Sequence, residues 1–191
     1  MAKNNFFEIG DCGSGVIFCR SLISPRLTQK LLDSTIKTGP IPESLESGPF
    51  ITYSVGNIVD VGGFKFMKIL DAIHQRIAKY SHMCMGFNVE YIPNRHQFYS
   101  IKKQLIGQSH LIHSDYWGFQ VEGTGREKVN MSSIISLSSD YEGGIFEVPE
   151  HNVSIKLEAG DCVFFPTWEH AHQVTEVTGG ERHTLMHFWS P

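Results

Sequence analysis

The chain has 191 residues, 41% of them hydrophobic and 19% charged, and 16 Lys plus Arg against 20 Asp plus Glu give a net charge of −4. This is the balance of an ordinary globular domain, and it excludes a disordered chain, a collagen-like chain and a strongly basic nucleic-acid binder. No apolar run reaches the roughly 18 residues of a membrane helix. The start MAKNNFFEIGDCGSG lacks the features of a signal peptide, so a single cytoplasmic domain is expected.

Val16, Ile17 and Phe18 open a short apolar run that reads as a strand. In SPRLTQKLLDSTIKTG, Ser24 suits an N-cap, Pro25 the first helical position and Gly39 the exit. Leu27, Leu31, Leu32 and Ile36 recur at helical spacing and predict one apolar face. Residues 40–63 carry Pro40, Pro42 and Pro49 and read as an irregular connection. A second helix follows Gly63, with Phe66, Ile69, Leu70, Ile73, Ile77 and Tyr80 as its apolar stripe.

From about residue 85 short apolar segments alternate with turn chemistry. Strands are predicted at 87–91, 97–106, 109–116, 129–138, 144–149, 152–157, 162–166, 171–177 and 182–189, with turns at Asp140 to Gly144, Ala159 to Asp161 and Gly179-Gly180. Many short strands at close spacing predict a sandwich or barrel. The fold class is mainly β with α: helical support over residues 1–85 and a β core over residues 86–191. Cys12, Cys19, Cys84 and Cys162 form no C-x-x-C pair and read as reduced thiols without a role.

Seven of the ten histidines lie between His110 and His187. His113-Ser114-Asp115 is the sharpest local feature, because residues i and i+2 of a strand present an imidazole and a carboxylate on one face. A metal site needs a third ligand, and FFPTWEHAHQVTEV offers His170 and His172. Two His and one carboxylate on one side of an ion form the facial triad of non-haem iron oxygenases, which leaves positions open. Arg182, Thr184, Met186 and Phe188 share a face of the last strand, and an inward Arg needs an anion.

GQSHLIHSD (107–115), LSSDYEGGIFEV (137–148), AGDCVFFP (159–166) and HQVTEVTGGERHTLMHFW (172–189), in this order and spacing, resemble the catalytic core of 2-oxoglutarate/Fe(II)-dependent dioxygenases, in the prolyl 4-hydroxylase-like branch. The resemblance covers about 85 residues. It implies a double-stranded β-helix (jelly-roll) core with iron at its mouth. It also implies His113, Asp115 and His172 as iron ligands and catalytic residues, and Arg182 as partner of the distal carboxylate of 2-oxoglutarate. Relatives commonly carry co-substrate-binding tyrosines where this chain has Gln104 and, nearby, Ser136. Thr184, Gln104 and Ser136 are therefore the candidates to replace them.

The implied function is a hydroxylase, acting on a peptidyl proline, that uses Fe(II), 2-oxoglutarate and O2 with ascorbate as a reductant and releases succinate and CO2. Tyr116, Trp117, Trp168 and Glu169 are the expected substrate contacts, with 118–128 as a flap. His110 and His170 are read as neighbours of the metal. One alternative is a dioxygenase of a free amino acid or small metabolite. Another is a metal- or ligand-binding jelly roll without catalysis. A peptide or small-molecule substrate is expected, and neither nucleic acid nor membrane.

Overall fold

The structure is a computed structural model that describes residues 8–11, 15–42, 50–54, 64–85, 99–115, 119–121, 124–127, 131–167 and 170–189. Strands β1 (Glu8–Asp11) and β2 (Ile17–Arg20) lead into helix α1 (Pro25–Thr38), and β3 (Ile51–Ser54) precedes helix α2 (Phe64–Met85). The remaining strands are β4 (Tyr99–Gln104), β5 (His110–His113), β6 (Phe119–Val121), β7 (Thr124–Glu127), β8 (Met131–Ser136), β9 (Tyr141–Gly143) and β10 (Phe146–Val148). After these come β11 (Val153–Ile155), β12 (Cys162–Pro166), β13 (His172–Val174), β14 (Val177–Gly180) and β15 (Arg182–Trp189). Among the described residues no helix is long and apolar enough to cross a membrane.

Helix α1 starts and stops where its sequence signals lie. Ser24 is the N-cap, Pro25 fills the first turn, and Gly39 ends the helix at φ 71°, a conformation that disfavours a side chain. The buried face holds Thr28, Leu31 and Thr35, with Leu27 and Leu32 partly buried. The two threonines turn their hydroxyls back onto Pro25 O and Leu32 O, which lets them pack without unpaired groups. Ile36, expected on the apolar face, is instead exposed, because Thr35 takes the inward position. In α2 the described stripe residues Leu70, Ile73 and Ile77 are buried, as the 3.6-residue period requires.

A seven-stranded antiparallel sheet runs in the order β1-β2-β12-β8-β15-β4-β3, and a four-stranded sheet in the order β11-β10-β13-β5. Small two-stranded pairs join β14 to β9 and β6 to β7. The strict alternation of β8, β12 and β15 divides the apolar side chains into two layers. Ile135, Cys162, Phe164, Leu185 and Trp189 face outward and pack with Leu31, Leu70, Ile73 and Ile77 of the helices. Ile134, Val163, Phe165 and Met186 face inward and meet Phe146, Val148 and Val153 of the smaller sheet. Trp189 donates its indole N–H to Ser133 Oγ at 2.9 Å within the outer layer, so the last aromatic is structural. This is the jelly-roll core that the resemblance implies.

Residues 8–54 supply three strands, β1 to β3, to the large sheet, so the helices are not the only support that comes from the N-terminal half. Strand β3 falls in the stretch read as an irregular connection, where four residues just after Pro49 are too few to show a period. Gly179 and Gly180 stand in β14, and Tyr141 to Gly143 form β9, where turns were expected. The two strands pair with each other, and this distant pairing outweighs the local turn preference of glycine. The predicted strand 87–91 lies outside the described residues.

Candidate metal centre

Two strand ends and the residues just after one of them converge at one edge of the smaller sheet. His172 opens β13 and pairs in register with His113, the last residue of β5. Asp115 follows two residues later. One donor atom from each of His113, Asp115 and His172 lies within 4.8 Å of the others. His113 Nε2 stands 3.3 Å from Asp115 Oδ1, and His172 Nε2 stands 3.6 Å from Asp115 Oδ2. Asp115 and His172 are buried, whereas the His113 side chain keeps 25% of its surface, so the cluster opens to solvent on the His113 side.

Each imidazole is oriented by its own strand. His113 Nδ1 is 2.8 Å from Leu111 O, and His172 Nδ1 is 3.3 Å from His170 O. A carbonyl can only accept, so each Nδ1 is the donor to its carbonyl, and the Nε2 of each ring faces Asp115 as the atom a metal would take. Ser132, inward on β8, donates to Asp115 Oδ2 at 2.6 Å and sets the rotation of that carboxylate. The rings of Phe165 and Phe146 lie 4.7 and 5.7 Å from His172 and keep water off its buried side.

Burial works against the charge of Asp115, but hydrogen bonds from His113 and Ser132 and the nearby His172 outweigh it and hold the carboxyl below its usual value. Burial also opposes protonation of His113, where Asp115 and the Leu111 carbonyl more than offset it. At His172 burial dominates and keeps the ring neutral. A deprotonated carboxylate and two oriented imidazoles are the donor set of a divalent first-row ion, so these residues fit the metal that the resemblance implies.

Arg182, 3% exposed, begins β15 on the inward face. Its Nη1 donates to Gln104 Oε1 at 2.7 Å, across the β15–β4 register that pairs the two residues. Accepting this bond places Oε1 on the Arg182 side and leaves the Gln104 Nε2 as a donor still to be used. Arg182 Nε and Nη2, Gln104 Nε2 and Thr184 Oγ1 are all buried without a hydrogen-bond partner. Burial pushes the guanidinium below its ordinary value, against the effect of the Tyr141 hydroxyl beside it. Each orphaned buried donor costs about 1–3 kcal/mol, so this cradle fits a bound carboxylate. A Cβ on Gly144 would stand 2.7 Å from Arg182 Cδ and 3.1 Å from the Tyr141 ring, at φ +58°. The D-Y-x-G-G segment therefore builds the seat over which the Arg182 stem lies.

The structure brings together His113, Asp115 and His172, and separately Arg182, Gln104 and Thr184. Ser136 pairs in register with Thr184, but its hydroxyl already donates to Ser138 O at 2.9 Å. The His110 ring is tilted against that of His113 with centres 3.7 Å apart, and burial, followed by His113 and His172, lowers its pKa to about 4. His170 packs edge-on against His151 at 4.9 Å, beneath the cluster. Tyr116, Trp117, Trp168 and Glu169 lie outside the described residues. Asp161 of the G-D-x-V-x-F-P segment is structural, accepting from Ser21 N at 2.9 Å and Glu158 N at 3.1 Å. Sequence reasoning missed Ser132, although its period-2 phase with Ile134 and Ser136 marked it as inward.

Residues 97–190 match the family model described as the 2OG-Fe(II) oxygenase superfamily. No curated protein matches the sequence. Among solved structures, the viral collagen prolyl hydroxylase of Paramecium bursaria Chlorella virus-1 superposes with a TM-score of 0.69 at 17% identity, covering 94% of this chain and 98% of that one. A Pseudomonas putida prolyl-4-hydroxylase gives 0.63 at 15% identity, with 93% of each chain covered. An α-ketoglutarate-dependent epimerase of nogalamycin biosynthesis gives 0.64 at 13% identity, covering 92% of this chain and 78% of that one. At these identities the likenesses establish the fold.

Proposed function

The chain belongs to the 2OG-Fe(II) oxygenase superfamily of 2-oxoglutarate-dependent dioxygenases, and we propose that it hydroxylates a prolyl residue of a peptide. The observation that carries the catalytic reading is the convergence of His113, Asp115 and His172, with both Nδ1 atoms turned to backbone carbonyls. When bound, Fe(II) with 2-oxoglutarate and O2 supplies the oxidising chemistry that inserts one oxygen into a C–H bond and releases succinate and CO2. Ascorbate serves as the reductant that keeps iron divalent.

The protein's part is binding and orientation. His113, Asp115 and His172 hold the metal from one side, and Ser132 keeps the Asp115 carboxylate turned toward it. Arg182 Nε and Nη2, Gln104 Nε2 and Thr184 Oγ1 receive the distal carboxylate of 2-oxoglutarate, with Ser136 behind Thr184. Phe146 and Phe165 exclude water from the side of His172. Tyr116 and Trp117, directly after Asp115, and Trp168 and Glu169, just before His172, contact the substrate. Residues 1–85 support a catalytic core over residues 86–191.

The prolyl assignment draws support from two neighbours of the fold that carry that activity in their names. The epimerase has a similar TM-score, so a dioxygenase of a small molecule is the second reading. Incubation with Fe(II), ascorbate and 2-oxoglutarate under O2 should yield succinate, and His113→Ala should abolish it. Failure of the anaerobic Fe(II) form to bind 2-oxoglutarate would refute the oxygenase reading. A mass increase of one oxygen atom on members of a proline-peptide panel would select the first substrate class, and a panel without any shift would turn the assignment to small molecules.

A further inference from the structure

Lys102 is a cation that the metal and co-substrate machinery does not use. It stands on the inward face of β4, two residues before Gln104. The register places it between Thr184 of β15 and Thr52 of β3. Its ammonium donates to Thr52 Oγ1 at 2.9 Å and lies 5.0 Å from the centre of the Phe50 ring. Phe50 meets His110 edge-on at 4.7 Å, His110 is tilted against His113 at 3.7 Å, and His113 lies 4.4 Å from His172. A chain of ring contacts therefore joins the ammonium to His113 and His172.

An ammonium has three donors, and this one uses one of them on a neutral hydroxyl. Among the described residues no carboxylate pairs with it, whereas the next residue, Lys103, pairs with Glu181 at 2.7 Å. Burial lowers the pKa of Lys102 and no neighbouring charge opposes this. A half-buried cation without a counter-ion is held at a cost unless an anion arrives. Among the described residues, Asp115 and Lys102 both act on the charge of His110, and Arg182 stands on β15, the strand paired with β4. A divalent metal and a dicarboxylate co-substrate cancel each other in charge, and among the described residues Lys102 keeps its positive charge with only the Thr52 hydroxyl as hydrogen-bond partner.

We infer that Lys102 binds a carboxylate of the primary substrate, in the space over Phe50 and His110. This rests on the oxygenase reading and narrows it: the substrate is an acid, with its carboxylate on the Lys102 side of the reacting carbon. The carboxylate belongs either to an amino acid's own α-carboxyl group or to an acidic side chain next to the reacting residue of a peptide.

The test uses protein loaded with Mn(II) and 2-oxoglutarate, which binds without turnover, and reads affinity by calorimetry. One probe set is N-acetyl amino acids, proline included, against their primary amides. The other is capped Gly-Pro-Asp peptides against Gly-Pro-Asn. At least one acid should bind about tenfold or more tightly than its neutral isostere, as a charge-assisted hydrogen bond provides. The set that shows the preference identifies the source of the carboxylate. Lys102→Met should abolish the preference while leaving 2-oxoglutarate affinity within about threefold of wild type, and Lys102→Arg should restore it. Lys102→Gln serves the same purpose should Lys102→Met not fold.

The inference is overturned if neither set shows a preference in the wild type, or if the preference survives in Lys102→Met. It is also overturned if Lys102→Met loses 2-oxoglutarate binding by about tenfold, which would assign Lys102 to the co-substrate. Wild-type protein that fails to bind 2-oxoglutarate at all would instead overturn the oxygenase reading, and the inference with it.

Discussion

Removing the Ser132 hydroxyl isolates the group that orients the acidic metal ligand. Ser132 is fully buried, and its Oγ donates to Asp115 Oδ2 at 2.6 Å. No other described hydrogen bond reaches Oδ2, which stands 3.6 Å from His172 Nε2. Ser132→Ala leaves the carboxylate free to rotate and deletes one hydrogen bond to a buried charge, worth about 1.5–3 kcal/mol. A midpoint of about 2 kcal/mol corresponds to roughly a 30-fold loss of metal affinity, inside the 10–100-fold range usual for partners that orient ligands. Titration of Mn(II), with the free ion read by its paramagnetic resonance signal, measures this directly and needs neither co-substrate nor substrate. A folded Ser132→Ala protein that binds Mn(II) within about twofold of wild type would refute the reasoning. Asp115 would then be held by something other than Ser132.

Gly144→Ala should act at the opposite end of the site. A Cβ at φ +58°, 2.7 Å from Arg182 Cδ, must displace the Arg182 stem, so 2-oxoglutarate affinity should fall by about tenfold while Mn(II) binding without co-substrate is unchanged in calorimetry. Leu31→Ala removes a fully buried contact between α1 and the large sheet and should lower unfolding free energy by about 2–5 kcal/mol in urea denaturation. His187, buried with His74 5.1 Å away, has its pKa pushed well below 6.5 by burial and by that neighbour. The folded state therefore keeps it neutral where the unfolded chain takes up a proton, so its stability contribution is complete above pH 6.5 and is lost as the pH falls below it. His187→Phe should reduce that slope by up to about 1.4 kcal/mol per pH unit, read from urea melts between neutral and mildly acid pH.

The two helices were legible because their evidence is local. Ser24, Pro25 and Gly39 mark the ends of α1, and a 3.6-residue period marks the buried face of α2. The residues of the metal cluster were legible through H-x-D and through the order of four segments, which are properties of the chain. Strands β3, β9 and β14 were not, because each owes its existence to a partner far away in sequence. The opposite faces of Phe164 and Phe165 follow from alternation alone. Which face met helices and which met the metal site depended on where the second sheet packed.

The sequence by itself determined the chemistry on offer: two imidazoles, a carboxylate and an arginine at spacings suited to adjacent strands. Only the tertiary structure decided how each is held. Ser132 reaches Asp115 from 17 residues away, and Gln104 reaches Arg182 from 78 away. Lys102, one of 16 basic residues in the sequence, became distinct only when β3 and β4 brought it beside Thr52 and Phe50, with no carboxylate paired to it among the described residues. Side-chain identity is written along the chain, but hydrogen bonds, burial and missing counter-ions are properties of neighbours in space.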